Sequence, residues 1–221
     1  MTRAAAATMM AGLMAALSIS PVQAAPKPSE VPISWEIEIR PETPQAIEVA
    51  VSGEGGAKRF WYLRFTVTNR TGEDRIFVPE CVLYTDTGQI LRAGQHVPTT
   101  VFKAIQKLYN DPLLTDLTGA MGKLLQGEDN AKTAVAIWPD FDPKAGTIDI
   151  FIGGLSGETA QVQLPTPIKI TEADAKGDLR VVEKDKVILS KTLHRSYGIP
   201  GEAAARLLTK AKLLREDWVM R

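Results

Sequence analysis

Between Arg59 and Gly88 the chain reads RFWYLRFTVTNRTGEDRIFVPECVLYTDTG, and this stretch constrains the fold more than any other. Trp61, Leu63, Phe65 and Val67 fall on one side of an extended backbone, while Arg64, Thr66 and Thr68 fall on the other. Alternation with period two, in aromatic and β-branched residues, is the pattern of a half-buried strand. Asn69-Arg70-Thr71-Gly72 supplies the polar turn that ends it, and a second strand runs up to the turn at Asp86-Thr87-Gly88.

The same period recurs on both sides. Ile33, Trp35, Ile37 and Ile39 alternate with polar residues, as do Ile47, Val49 and Val51, and Gly53-Glu54-Gly55-Gly56 closes a hairpin into the Arg59 strand. A short strand is expected at Gln89–Arg92, and others at Thr133–Trp138, Thr147–Ile152, Thr159–Leu164, Leu179–Val182 and Lys186–Leu193. The period changes after Pro98. Val101, Phe102, Ile105, Leu108 and Tyr109 follow helical spacing behind a Thr99 or Thr100 cap, and Asp111-Pro112 opens a second helix carrying Leu113, Leu114, Leu117, Met121 and Leu124. Gly119 and Gly122 weaken that second helix by about 1 kcal/mol each. Near the end, Leu207, Leu208, Ala211, Leu214 and Trp218 form a helical stripe opposite Arg206, Lys210 and Arg215, with Glu202 near its positive end. The fold class is therefore mainly β: an antiparallel sandwich of the immunoglobulin-like class over residues 33–198, with a helical insertion at 99–126 and a packed C-terminal helix at 199–221. One sandwich is favoured over two small ones, because neither half has strands enough for two packed sheets.

The first 24 residues have a different character. Arg3, an apolar run from Ala4 to Ile19, a break at Ser20-Pro21 and small residues at Val22 and Ala24 are the order of a cleaved secretory signal peptide. An uncleaved anchor would need about 20 strongly apolar residues, and this run is short and interrupted by Thr8 and Gly12. The chain is thus expected in the periplasm or outside the cell, without stable membrane insertion after cleavage. A proline-rich extended leader follows at residues 25–32. Removing residues 1–24 turns a balance of 26 basic against 26 acidic residues into 25 against 26. Such a body lacks the basic stripe of a nucleic-acid binder and the polybasic patch of a lipid binder. Its single cysteine, Cys81, excludes an internal disulfide.

Candidate sites are sparse. Cys81 shares a face with Phe77 and Leu83, which predicts a buried thiol. His96 and His194 sit in no metal-ligand spacing. Gly154-Leu155-Ser156-Gly157-Glu158 resembles a nucleophile elbow but lacks its last glycine and precedes a strand, so a hairpin loop is expected. Asp140, Asp142 and Asp149, with Glu128 and Asp129, form the densest acidic region; Asp140, Asp142 and Asp149 are the candidate metal ligands, although Pro139, Pro143 and Gly146 explain those aspartates as turn residues. Tyr62 and Tyr84, off the apolar phase or near a strand end, are the candidates for a carbohydrate platform. Asn69-Arg70-Thr71 spells a glycosylation acceptor. No cofactor is implied.

The blocks WYLRFTVTNRTGEDRIFVPE, LYTDTGQILRAG, LLQGEDNAK, DFDPKAGTIDIFIGGLSGET and WVMR resemble a family of exported, planctomycete-type bacterial proteins of unknown function. That resemblance implies export and a compact β-rich body, and it carries over no functional residue. The reading that follows is a binding or cell-envelope interaction module without catalysis, with an envelope protein or glycan as partner. The alternatives are an extracellular hydrolase, using the Asp140 to Asp149 loop with Ser156 or His194, and a carbohydrate-binding module using Tyr62 and Tyr84.

Overall fold

The computed structural model describes residues 26–51, 56–174, 177–201, 203–208 and 210–221. The segment read as a signal peptide, the turn expected at Gly53-Glu54-Gly55 and Glu202 lie outside them. Two sheets, antiparallel but for one short parallel pair, pack face to face.

The first sheet is built on β3 (Ala57–Asn69) and β9 (Gly127–Pro139). On the other edge of β3 lie β1 (Glu38–Pro41) and β2 (Gln45–Ala50), end to end, and β7 (Thr115–Asp116) joins β9 in parallel. The second sheet runs β6 (Ile90–Arg92), β5 (Glu80–Thr85), β10 (Thr147–Gly153), β12 (Leu179–Gly198), with β13 (Lys212–Met220) at the far edge of β12 and β11 (Thr159–Ala173) pairing with the first half of β12. A small pair, β4 (Arg75–Phe77) and β8 (Gly122–Leu124), closes one end.

The alternation in β3 does what its spelling requires. Trp61, Leu63, Phe65 and Val67 meet Ile148, Ile150, Ile152, Leu193 and Tyr197 of the second sheet in one core. Each such aliphatic or aromatic side chain contributes about 1.5–3 kcal/mol by leaving water. The other face of β3 is also covered. Phe60 and Tyr62 lie with Val135 and Ile137 beneath α1 (Thr99–Tyr109), whose Val101 and Ile105 are fully buried.

Several expectations need correction. Of the helical insertion only α1, in its first half, is a helix of more than one turn. Beyond α1 the chain forms β7, one turn of helix α2 (Leu117–Ala120) capped by Asp116, and β8. Gly122 takes φ 113, which ends any helix, and Leu113 and Met121, counted on the stripe, are exposed. The C-terminal helix is absent too. Residues Ala203–Leu207 make a short 3-10 turn, and β13 follows. Leu208 is 90% exposed, so the helical stripe is not used. Helix propensity is worth only tenths of a kcal/mol per residue, whereas the open edge of β12 from Lys191 to Gly198 offers backbone partners along the whole of β13. The strand predicted at Ile33 to Ile39 is shortened. Ile33 is exposed, and Trp35 and Ile37 instead bond Gly157 and Leu155 across to the second sheet.

Strands β11 and β12 run on beyond the sandwich. Pro165 and Pro167, read as loop residues, sit at a register shift between Gln163 and Ile168 on the free edge of β11, where a missing N–H breaks no ladder bond. The two strands predicted at Leu179–Val182 and Lys186–Leu193 are accordingly one strand, about 65 Å long at roughly 3.3 Å per residue.

Candidate functional site

The structure disperses the predicted metal ligands. Asp140 accepts a 2.9 Å hydrogen bond from Trp61 Nε1, and Asp142 accepts one from the Lys144 amide at 2.8 Å. The carbonyls of their loop are already claimed by a cation of the chain itself. Arg206, buried to 2% exposure, donates to the carbonyls of Pro143 (2.6 Å), Ala145 (2.7 Å) and Asp142 (3.3 Å). Glu128 pairs with Arg70 at 2.9 Å. Among the described residues no group of three or more His, Cys, Asp or Glu is placed to hold a metal ion.

The other candidates resolve one by one. Cys81 is buried, and burial pushes its thiol up. Tyr62 lies on the phase opposite Trp61 and Leu63, yet it is only 2% exposed, because α1 covers that face. It is no platform for a ligand. In the Gly154–Glu158 loop, Ser156 Oγ accepts the Glu158 amide at 3.1 Å. A Cβ on Gly157 would stand 2.4 Å from the Trp35 indole nitrogen, and one on Gly154 would stand 2.2 Å from the Val78 carbonyl. Both glycines answer to packing. Asn69 is buried with its amide donating to Glu73 and Leu124 carbonyls, so it presents no acceptor for a glycan.

Asp149, Tyr84 and His194 do come together, on the solvent face of the second sheet. His194 Nδ1 lies 2.8 Å from Asp217 Oδ1, and Nε2 lies 3.1 Å from Asp149 Oδ1. Its ring stacks on Phe151 at 4.7 Å, Tyr84 tilts onto the same Phe151, and the Arg221 guanidinium covers both aromatic rings. Both imidazole nitrogens face carboxylates, so neither is left to take a proton from a nucleophile. Burial raises the Asp217 carboxyl, but hydrogen bonds from His194 and Arg215 outweigh it and hold the group below its usual value. The cluster ties β10, β12 and β13 together.

Sequence reasoning missed Lys191. It falls on the inward phase of β12 with Leu193 and Tyr197, and only 3% of its side chain is exposed. That phase was the signal that could have found it. Its ammonium lies 2.9 Å from Glu36 and 3.4 Å from Glu158, and it stands 5.1 Å from the Trp218 ring. Burial alone would push it down; the two carboxylates outweigh burial and hold it above its usual value. Glu158 accepts the Ser29 amide at 2.7 Å and Lys191 donates to the Ser29 carbonyl at 3.3 Å, so this buried ion pair clamps the leader by both backbone groups of one residue. Between leader and β13 remains a groove of about 730 Å³ lined by Pro26, Pro28, Trp218 and Met220.

Uncovered apolar side chains also stand on the arm made by β11 and the first half of β12. Its strands pair with each other, and neither gains a further strand among the described residues. Ser190 exchanges both backbone bonds with Arg221, while the Lys191 amide turns the other way to Glu158. By alternation, β12 from Leu179 to Leu189 has an open edge beyond the end of β13. Leu179 is 75% exposed and Ile188 71%, and Val181, Val182 and Ile168 are exposed too; by alternation Leu179 and Val181 lie on one face of the ribbon and Val182, Ile188 and Ile168 on the other. Cross-strand pairs, Arg180 with Asp174 at 2.9 Å and Lys184 with Glu172, staple the far end.

Compared with protein-family models, with curated proteins and with solved structures, the chain matches none.

Proposed function

We propose that this chain is an exported binding module of the cell envelope, without catalysis, whose interaction element is the arm of β11 and β12. The observation that carries the reading is the arm's uncovered aliphatic surface: Ile168, Leu179, Val181, Val182 and Ile188 stand in solvent on a two-stranded ribbon. A two-stranded ribbon is marginal on its own and gains stability when a partner covers it, and here aliphatic side chains are exposed on both of its faces. Charged side chains on the same strands, Lys184, Lys186, Glu183 and Asp185, guard the edge against indiscriminate pairing. Export rests on the pattern of residues 1–24 and on the resemblance given above. A protein partner is favoured over a glycan because Tyr84 already has its ring engaged by Phe151 and Arg221, and Tyr62 is buried.

The test compares the mature chain with a variant whose arm is cut back by joining Gln163 to Lys186 through Asn-Gly. The whole chain should co-sediment with isolated envelope fractions, and the shortened chain, with its cooperative unfolding intact, should stay in solution. Equal sedimentation of both, or none by the whole chain, contradicts the reading.

A further inference from the structure

We infer that the groove between the leader and β13 takes a short extended peptide, paired as a further strand on the outer edge of β13. The site lies apart from the arm, and its occupant is a single stretch of extended chain, unlike the folded partner of the arm. The groove holds about 730 Å³ and is lined on one side by Arg215, Asp217, Trp218, Val219 and Met220. Side chains of a strand point alternately to its two faces, so a cavity that touches four successive residues, Asp217 to Met220, runs along the strand's edge. The other edge of β13 belongs to β12.

The phase of the ladder fixes which backbone groups face the groove. Ser190 and Arg221 exchange both of their backbone bonds. By alternation the pairs Thr192 with Val219 and His194 with Asp217 do the same, and the pair between them, Leu193 with Trp218, does not. The N–H and C=O groups of Glu216, Trp218 and Met220 therefore point away from β12. Among the described residues none of these groups has a hydrogen-bond partner, and no second strand joins β13. Such a row of donors and acceptors, repeating every two residues or about 6.8 Å, is matched by the backbone of another extended chain.

The leader forms the opposite wall but does not supply that chain. Pro26, Pro28 and Pro32 line the groove and have no N–H to give. Ser29 has both backbone groups turned the other way, its amide donating to Glu158 and its carbonyl accepting from the buried Lys191. Held there, the leader leaves a slot for one strand and obstructs the edge of a second folded sheet, including that of another copy of this chain. Arg215 is paired with Asp217 and Lys191 with Glu36, and Lys27 and Glu30 of the leader have opposite signs, so the lining carries no net charge that calls for a charged ligand. With Trp218, Met220 and the three prolines on its walls, the slot suits a peptide with small apolar side chains.

The experiment follows backbone amides by NMR while the protein is titrated with acetyl-Thr-Val-Thr-Val-Thr-Val-amide, whose β-branched residues favour an extended chain. In the free protein the amide protons of Glu216, Trp218 and Met220 should exchange with solvent quickly, and those of Asp217 and Val219 slowly. The peptide should shift the first three saturably and slow their exchange; the same peptide with every amide N-methylated should do neither. Met220→Pro removes one donor from the groove and spares the ladder to β12, as proline on a free edge does, whereas Met220→Ala removes the side chain alone. M220P should raise the half-saturating peptide concentration about ten-fold or more over M220A, the loss of one hydrogen bond with its partner left unsatisfied. Slow exchange of the three amides in the free protein overturns the inference: if it is independent of protein concentration the leader already closes the edge, and if it grows with concentration a second copy does. No saturable shift, or equal binding by the N-methylated peptide or by the two variants, overturns it as well.

Discussion

Arg206 fixes the C-terminal segment to the loop more than sixty residues before it, and its guanidinium occupies the carbonyls that a calcium ion would have used. Arg206→Ala strands those acceptors in a buried place, and chemical denaturation should record a loss of about 2–4 kcal/mol. Added calcium should restore none of it. Glu158 gives a pH prediction with a definite sign. The Ser29 amide, with Lys191 adding to it against the opposing effect of burial, holds the Glu158 carboxyl below its usual value. Its contribution is therefore complete above about pH 4.3, the ordinary glutamate value, and lost as pH falls through the lowered one. Followed by NMR, the Ser29 amide proton should shift in that acid window in the parent, and Glu158→Gln should abolish the titration. Cys81 and Trp61 were legible in the sequence because strand phase alone assigns them to the core. Tyr62 was not, since its cover comes from α1, an element some forty residues away whose docking leaves no mark on the strand's own pattern. Arg206 was hidden for a related reason: its partners are backbone carbonyls, which every residue has.

Most strands were read from their period and stand where alternation put them, but the first is shortened, and β7 and β13, which join the two sheets, were read as helix. The last element shows where that method stops. KLLREDWVM satisfies a helical stripe and also tolerates alternation, and local spelling cannot weigh a vacant strand edge. The pairing of β13 with β12 makes a clear forecast. Leu208→Lys, which would ruin a packed helix, should change stability by no more than about 0.5 kcal/mol, because the side chain is already in solvent. Val219→Pro removes an N–H that points at β12, given the exchange between Ser190 and Arg221 two residues on, and should cost about 3 kcal/mol or more in the same denaturation assay. The long hairpin was legible only in pieces, because Pro165 and Pro167 punctuate it and a proline on a free edge is spelled the same way as a proline in a loop.

Taken whole, the molecule is a sandwich whose two outer faces differ. One is closed by α1, while the other is left open, with the stack of Tyr84, Phe151 and His194 across its middle and the arm of β11 and β12 extending from its end. No helix among the described residues is long and apolar enough to cross a membrane. The sandwich holds the two buried clusters, and the arm carries exposed aliphatic side chains. The function proposed above requires that the arm, and no other face, meet the partner. A photo-reactive residue placed at Val181 on the arm, and in a second variant at Lys103 on α1, tests it in the intact producing cell. A discrete protein adduct is expected from position 181 and none from 103; no adduct from either, or the same adducts from both, would exclude the arm as the place where a partner binds.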